Sequence, residues 1–162
     1  MGELAVVEKE EQALRLQYDT IQFIVIKLGG EQYGIDIQYI DNIVRMQSIT
    51  RVPKVASYLK GVINLRGEII PVMSLREKMH LAEDELTKAT RIIILKLEQH
   101  GTIGVIVDEV KEVVTLNGID IEKVSYDNKE EKSTYISGIG KENGNLISLL
   151  DLNAVASEKD IV

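Results

Sequence analysis

Apolar positions in this chain fall into short runs separated by glycine turns. Phe23–Leu28 (FIVIKL) is apolar on both alternating faces, the pattern of a strand buried on two sides. Gly29-Gly30 reads as a hairpin turn and Gln32–Asp36 as the return strand. Ile37–Asn42 reads as a turn or helical kink leading into a strand at Ile43–Met46. Pro53 ends the next extended piece, and Ala56–Leu59 reads as one helical turn. Lys60–Leu65 and Ile69–Ser74 then form paired strands across the turn Asn64-Leu65-Arg66-Gly67. Pro71 removes a ladder donor from the second of them, which predicts an edge position or a bulge.

The same order recurs. Lys60–Leu75 (KGVINLRGEIIPVMSL) aligns with Ser137–Leu152 (SGIGKENGNLISLLDL), matching Gly61 to Gly138, Gly67 to Gly144, Ile70 to Ile147 and Leu75 to Leu152. Upstream, Ile24–Leu28 aligns with Ile93–Leu97, and Gly34–Ile37 with Gly104–Val107 after a one-residue insertion. Ile43-Val44 falls on Val113-Val114. A unit of about sixty residues present twice predicts two related lobes rather than a solenoid, which needs three or more stacked units. The two turns differ. The first carries Asn64-Leu65-Arg66-Gly67 where the second has Lys141-Glu142-Asn143-Gly144, so one lobe keeps a cationic tip that folding alone does not require.

Five short strands per unit predict a mainly β protein of two five-stranded barrels side by side, about 21–78 and 90–152, with exchange of strands between them left open. Residues 1–20 read as a solvated N-terminal arm, helical over Glu3–Tyr18 with a thin stripe of Leu4, Val7, Leu14 and Tyr18. Glu77–Ala89 is the polar connector, and Asn117–Ser133 a variable segment whose run Asp127–Lys132 predicts an exposed loop. Leu152–Val162 reads as a terminal helix, with 155–162 as tail. A sixty-residue barrel alone buries little surface, so the lobes gain by packing together.

Composition removes several functions. Cysteine is absent, which excludes disulfides and zinc-thiolate sites and fits a reducing cytoplasm. The first twenty residues are acidic and lack an apolar core, unlike a signal peptide. No apolar run reaches the length of a bilayer span. A net charge of -7 argues against nucleic-acid or anionic-membrane binding.

Catalytic and cofactor motifs fail one by one. Gly29 and Gly34 are spaced like a phosphate loop, but Ile35 stands where the lysine must be. Gly138-Ile139-Gly140 followed by Gly144 misses the dinucleotide fingerprint by one residue and lies between strands. His80 and His100 are isolated, and no serine has a nucleophile-elbow context. Adjacent carboxylates such as Asp108-Glu109 point to opposite faces of a strand. The expectation is therefore no catalytic residue, no metal and no cofactor. What remains is Arg66, whose planar fork suits a carboxylate. It either pairs internally with Asp41 or Asp36, or presents an edge to a partner, and the two are compatible.

These residues resemble the CheW family of bacterial chemotaxis coupling proteins. The resemblance covers Gln22–Ala154 and rests on Tyr33-Gly34-Ile35-Asp36-Ile37, Gly61-Val62-Ile63-Asn64-Leu65-Arg66-Gly67, Pro71 and Ser74-Leu75-Arg76, in order. It implies two five-stranded SH3-like barrels. It also implies a non-catalytic cytoplasmic adaptor, monomeric in isolation. Such an adaptor links the tips of methyl-accepting chemotaxis receptors to the histidine kinase CheA, within arrays at the inner face of the membrane. The receptor tip, a helical hairpin, would lie in an apolar groove between the lobes. By resemblance the receptor contacts are Asn64, Leu65, Arg66 and Gly67, with Gly61, Ile40, Asn42 and Val113; kinase contacts are Met46, Ile49 and Ile69. One departure is visible. The family often has a glutamate before the residue that is Ile43 here, and this chain has Asn42, with Asp41 beside it. An Asn42–Arg66 hydrogen bond or a shifted Asp41–Arg66 pair would have to replace that salt bridge. The alternative role is a CheW-like regulatory module of a larger two-component protein, although no receiver-like repeat follows Leu152.

Overall fold

A computed structural model describes residues 5–10, 20–124 and 135–157. The expected loop Asp127–Lys132 lies outside them. Of the expected arm helix, residues 5–10 are helical (α1). The strands are β1 Thr20–Leu28, β2 Glu31–Asp36, β3 Ile40–Arg45, β4 Leu59–Leu65 and β5 Glu68–Ser74. After α2, Leu75–Lys78, come β6 Arg91–Leu97, β7 Gly101–Val107, β8 Glu109–Asn117, β9 Glu122–Lys123, β10 Ile136–Glu142, β11 Asn145–Leu150 and α3 Leu152–Ala156.

The protein is a pair of SH3-like barrels, but the sheets do not follow the repeat boundaries. One sheet runs β8-β1-β2-β11-β10-β9 and the other β3-β6-β7-β5-β4. Each barrel therefore takes its first hairpin from one repeat and its remaining strands from the other. The exchange is reciprocal down to the register. β8 pairs with β1 so that Ile24 faces Val113, and β3 pairs with β6 so that Ile93 faces Ile43. β11 joins β2 in parallel and β5 joins β7 in parallel. Even the bulges correspond: Lys111 is the extra residue opposite β1, and Asp41 the extra residue opposite β6.

Alternation along β1 and β6 explains their unbroken apolar runs. Phe23 and Val25 fill one barrel with Val114, Leu116, Ile147 and Leu149. Ile92 and Ile94 fill the other with Ile63, Ile70, Val72 and Ile106. The opposite faces, Ile24, Ile26, Leu28, Ile93, Leu95 and Leu97, join a third layer between the sheets. Leu75, Met79, Leu152 and Val155 cover that layer from the helices. Strands buried on both faces need apolar residues at every position.

Two expectations need correction. Residues 56–58 form a turn closed by the Leu59 amide donating to the Ala56 carbonyl at 3.0 Å, not a helical turn, and Leu59 already belongs to β4. Pro71 is not on an edge strand: β5 lies between β4 and β7. Nor is it bulged, because the irregularity lies between Leu59 and Gly61 on β4. Pro71 is tolerated because its β4 neighbour Val62 bonds both ways with Thr50 at 2.9 Å, and because the β7 ladder starts only at Val72. Its missing N–H leaves no acceptor empty.

Candidate functional site

The β4–β5 hairpin closes through a two-residue loop, since Leu65 pairs with Glu68. Arg66 (φ 54°) and Gly67 (φ 82°) both lie in the left-handed region. That matches a type I′ turn, whose twist suits a hairpin and whose preferred sequence is Asn-Gly. The repeated hairpin β10–β11 has that sequence, with Asn143 at 49° and Gly144 at 80°. Arg66 therefore holds a conformation that costs a residue bearing a Cβ about 1 kcal/mol. Asn64 steadies the loop by accepting from the Gly67 amide at 3.0 Å.

Arg66 is exposed and makes no hydrogen bond or ion pair with a described residue. The expected internal partners are engaged elsewhere. The Asp41 bulge turns its carboxylate to Lys96, 3.2 Å away. Asp36 accepts from the Gln38 backbone and side-chain amides at 3.1 and 2.9 Å. Asn42 Oδ1 accepts from the Ile43 amide at 2.8 Å. Of the two substitutes for the family glutamate, neither forms.

The other expected site residues separate into groups. Asn64, Arg66, Gly67 and the 60% exposed Ile69 share the hairpin tip, and Ile69 faces Asn64 across the ladder. Leu65, Met46 and Ile49 are partly buried together against the β4–β5 barrel interior. Ile40 packs on the central layer. Val113 sits on β8 in the other sheet, opposite Ile24 and 52% exposed, whereas its repeat counterpart Ile43 is packed on the central layer. Gly61 is buried at φ 143°, and a Cβ there would meet the Thr50 carbonyl oxygen at 2.1 Å. Its visible role is to let the Thr50 strand approach.

Polar anchoring that the patterning did not reveal lies beside α2. The Arg76 guanidinium grips Asp108 with both ends of its fork, Nε donating to Oδ1 at 2.7 Å and Nη2 to Oδ2. Asp108 Oδ2 also accepts from the Gly29 amide at 2.9 Å. Partial burial works to raise the Asp108 pKa, but the Arg76 and Gly29 hydrogen bonds hold it below the usual carboxylate range. The hydrogen bond to Asp108 raises Arg76 in turn, against a smaller opposing effect of burial. Lys60, the extra residue of the β4 bulge, pairs with Glu77 of α2. Lys78 is buried with Nζ donating to the Ser157 carbonyl at 2.7 Å and 4.2 Å from the Tyr58 ring centre. Among the described residues no His, Asp and Glu cluster is arranged to hold a metal, and no helix is long and apolar enough to cross a membrane.

Comparison with known proteins agrees with this architecture. Residues 22–160 match the family model for the CheW-like domain. The chain is 36% identical to chemotaxis protein CheW of Bacillus subtilis over 85% of this chain and 88% of that one. It is 32% identical to chemotaxis protein CheW of Helicobacter pylori, covering 91% and 90%. The crystal structure of the scaffolding protein TtCheW from Thermoanaerobacter tengcongensis superposes with a TM-score of 0.76 at 31% identity, covering 82% of this chain and 90% of that one. The double barrel and the Asn64–Gly67 turn thus place the chain within a known lineage: it belongs to the CheW family.

Proposed function

We propose that this protein is a non-catalytic chemotaxis adaptor. It links the cytoplasmic tips of methyl-accepting receptors to the regulatory domain of the histidine kinase CheA, and it is recruited to receptor arrays at the inner face of the membrane. The observation that carries the receptor contact is Arg66: an exposed guanidinium, without an ion pair to any described residue, fixed at the tip of a two-residue turn its sequence does not favour. Strain retained at an exposed turn points to a contact made there. Ile40 and Val113, flanking the central layer, supply the apolar part of the receptor surface. The exposed Ile69 at the same hairpin, and Met46 and Ile49 half-buried against the barrel behind it, are the kinase contacts of this reading.

Such an adaptor works by shape and proximity, with a few anchors carrying most of the affinity. The test is Arg66→Glu, assayed for binding to a receptor cytoplasmic fragment and for receptor-dependent CheA autophosphorylation. An unchanged melting curve is expected, with receptor affinity reduced by about 1–4 kcal/mol and loss of kinase stimulation. Full binding and full stimulation in a folded variant would overturn the assignment.

A further inference from the structure

Between β3 and β4 the chain runs from 46 to 58 with a single ladder contact, the Thr50–Val62 bridge. Stretches of this length without structure of their own are commonly functional. Val52 and Val55 are each 39% exposed. Arg51 and Lys54 beside them are exposed and form no ion pair with a described residue, and Lys54 sits at φ 60°. Lys54 and Val55 stand between two clefts of about 420 and 320 Å³. The second is apolar, lined by Val55, Tyr58, Pro71, Met73 and Ile103, with His100 also on its wall. In a chain of net charge -7, an apolar cleft edged by cations that no described carboxylate neutralises favours an acidic segment with an aliphatic anchor.

The chain contains such a segment. In α1, Val6 and Val7 are 53% and 52% exposed. Glu8 and Glu10 lie on the same helix, with Glu3 and Glu11 at its flanks. Residues 11–19 separate α1 from β1, enough chain to span up to roughly 30 Å. We propose that α1 seats its Val6-Val7 step in the Val55 cleft of its own chain, with Glu8 and Glu10 against Arg51 and Lys54. The cleft is thereby a docking site for an acidic helix, occupied by the arm in the absence of a competitor. The inference is independent of the receptor reading.

The cysteine-free sequence allows a clean test. A nitroxide on Lys9→Cys in the otherwise intact, methyl-labelled chain should broaden the Val52, Val55 and Ile103 methyl signals. Val6→Ser/Val7→Ser in the same chain should abolish the broadening. Arg51→Glu/Lys54→Glu, or salt of about 1 M, where the Debye length is roughly 3 Å, should weaken it. None of the substituted side chains belongs to the apolar cores, so every variant should keep a cooperative melt. Absence of broadening would overturn the proposal. So would broadening that appears only when a spin-labelled, isotopically silent chain is mixed with a methyl-labelled one, because the occupant is then a second copy.

Discussion

Arg66 occupies a backbone position that its repeat counterpart fills with Asn143, the residue that best tolerates it. Arg66→Asn should therefore strengthen the fold while weakening the proposed receptor contact. The expected gain is about 1 kcal/mol, or a rise in Tm of roughly 2–4 °C for a chain of this size. Differential scanning calorimetry and a receptor pull-down on one preparation check both halves. Gly61→Ala makes the contrasting case: its Cβ collides with the Thr50 carbonyl at 2.1 Å in a conformation foreign to alanine, so unfolding should become easier by about 1–3 kcal/mol in a urea titration. The candidate status of Arg66 was legible in the sequence, because the duplication supplies an internal control at Asn143. The fate of Asn42 was not. Alternation gives the face of a residue but cannot show that Asp41 is bulged, and it is the bulge that sends Asp41 to Lys96 rather than to Arg66.

At the scale of elements, the hairpins β1–β2, β4–β5, β6–β7 and β10–β11 were readable because each closes over a turn a few residues long. The partners of β3 and β8 were not, since a pattern of buried faces does not say which strand lies alongside. The crossover from β7 to β8 is held by Asp108, which ties α2 to the β1–β2 turn. Its carboxylate is depressed, so its contribution is present above the ordinary aspartate range and fades as pH falls through the lower folded value. Asp108→Asn should cost about 1–3 kcal/mol at neutral pH. The gap to the unaltered chain should close in strong acid, as read from urea midpoints across pH. The parallel junctions rely on glycine for closeness: a Cβ on Gly34 would meet Leu149 of β11 at 2.8 Å, and one on Gly104 would meet Val72 of β5 at 3.3 Å.

For the whole molecule, the duplication was visible in the sequence while the exchange that joins its copies was not. The three apolar layers depend on that exchange, because each barrel interior mixes side chains from both repeats. Neither half should fold alone. Fragments cut in the connector, at about residue 86, should each lack the cooperative transition of the intact chain, and mixing them should restore it. Circular dichroism melts of the separate and mixed fragments decide this. The same exchange governs the order of events during synthesis. β1 ends at Leu28, yet its edge partner β8 is complete only at Asn117. At translation speeds of about 5–20 residues per second, the apolar stretch Phe23–Leu28 waits roughly 4–20 s beside the ribosome with one edge unpaired. The nascent chain is thus an aggregation-prone client for chaperones until its second repeat emerges, and its yield in cells should depend on elongation speed through the connector.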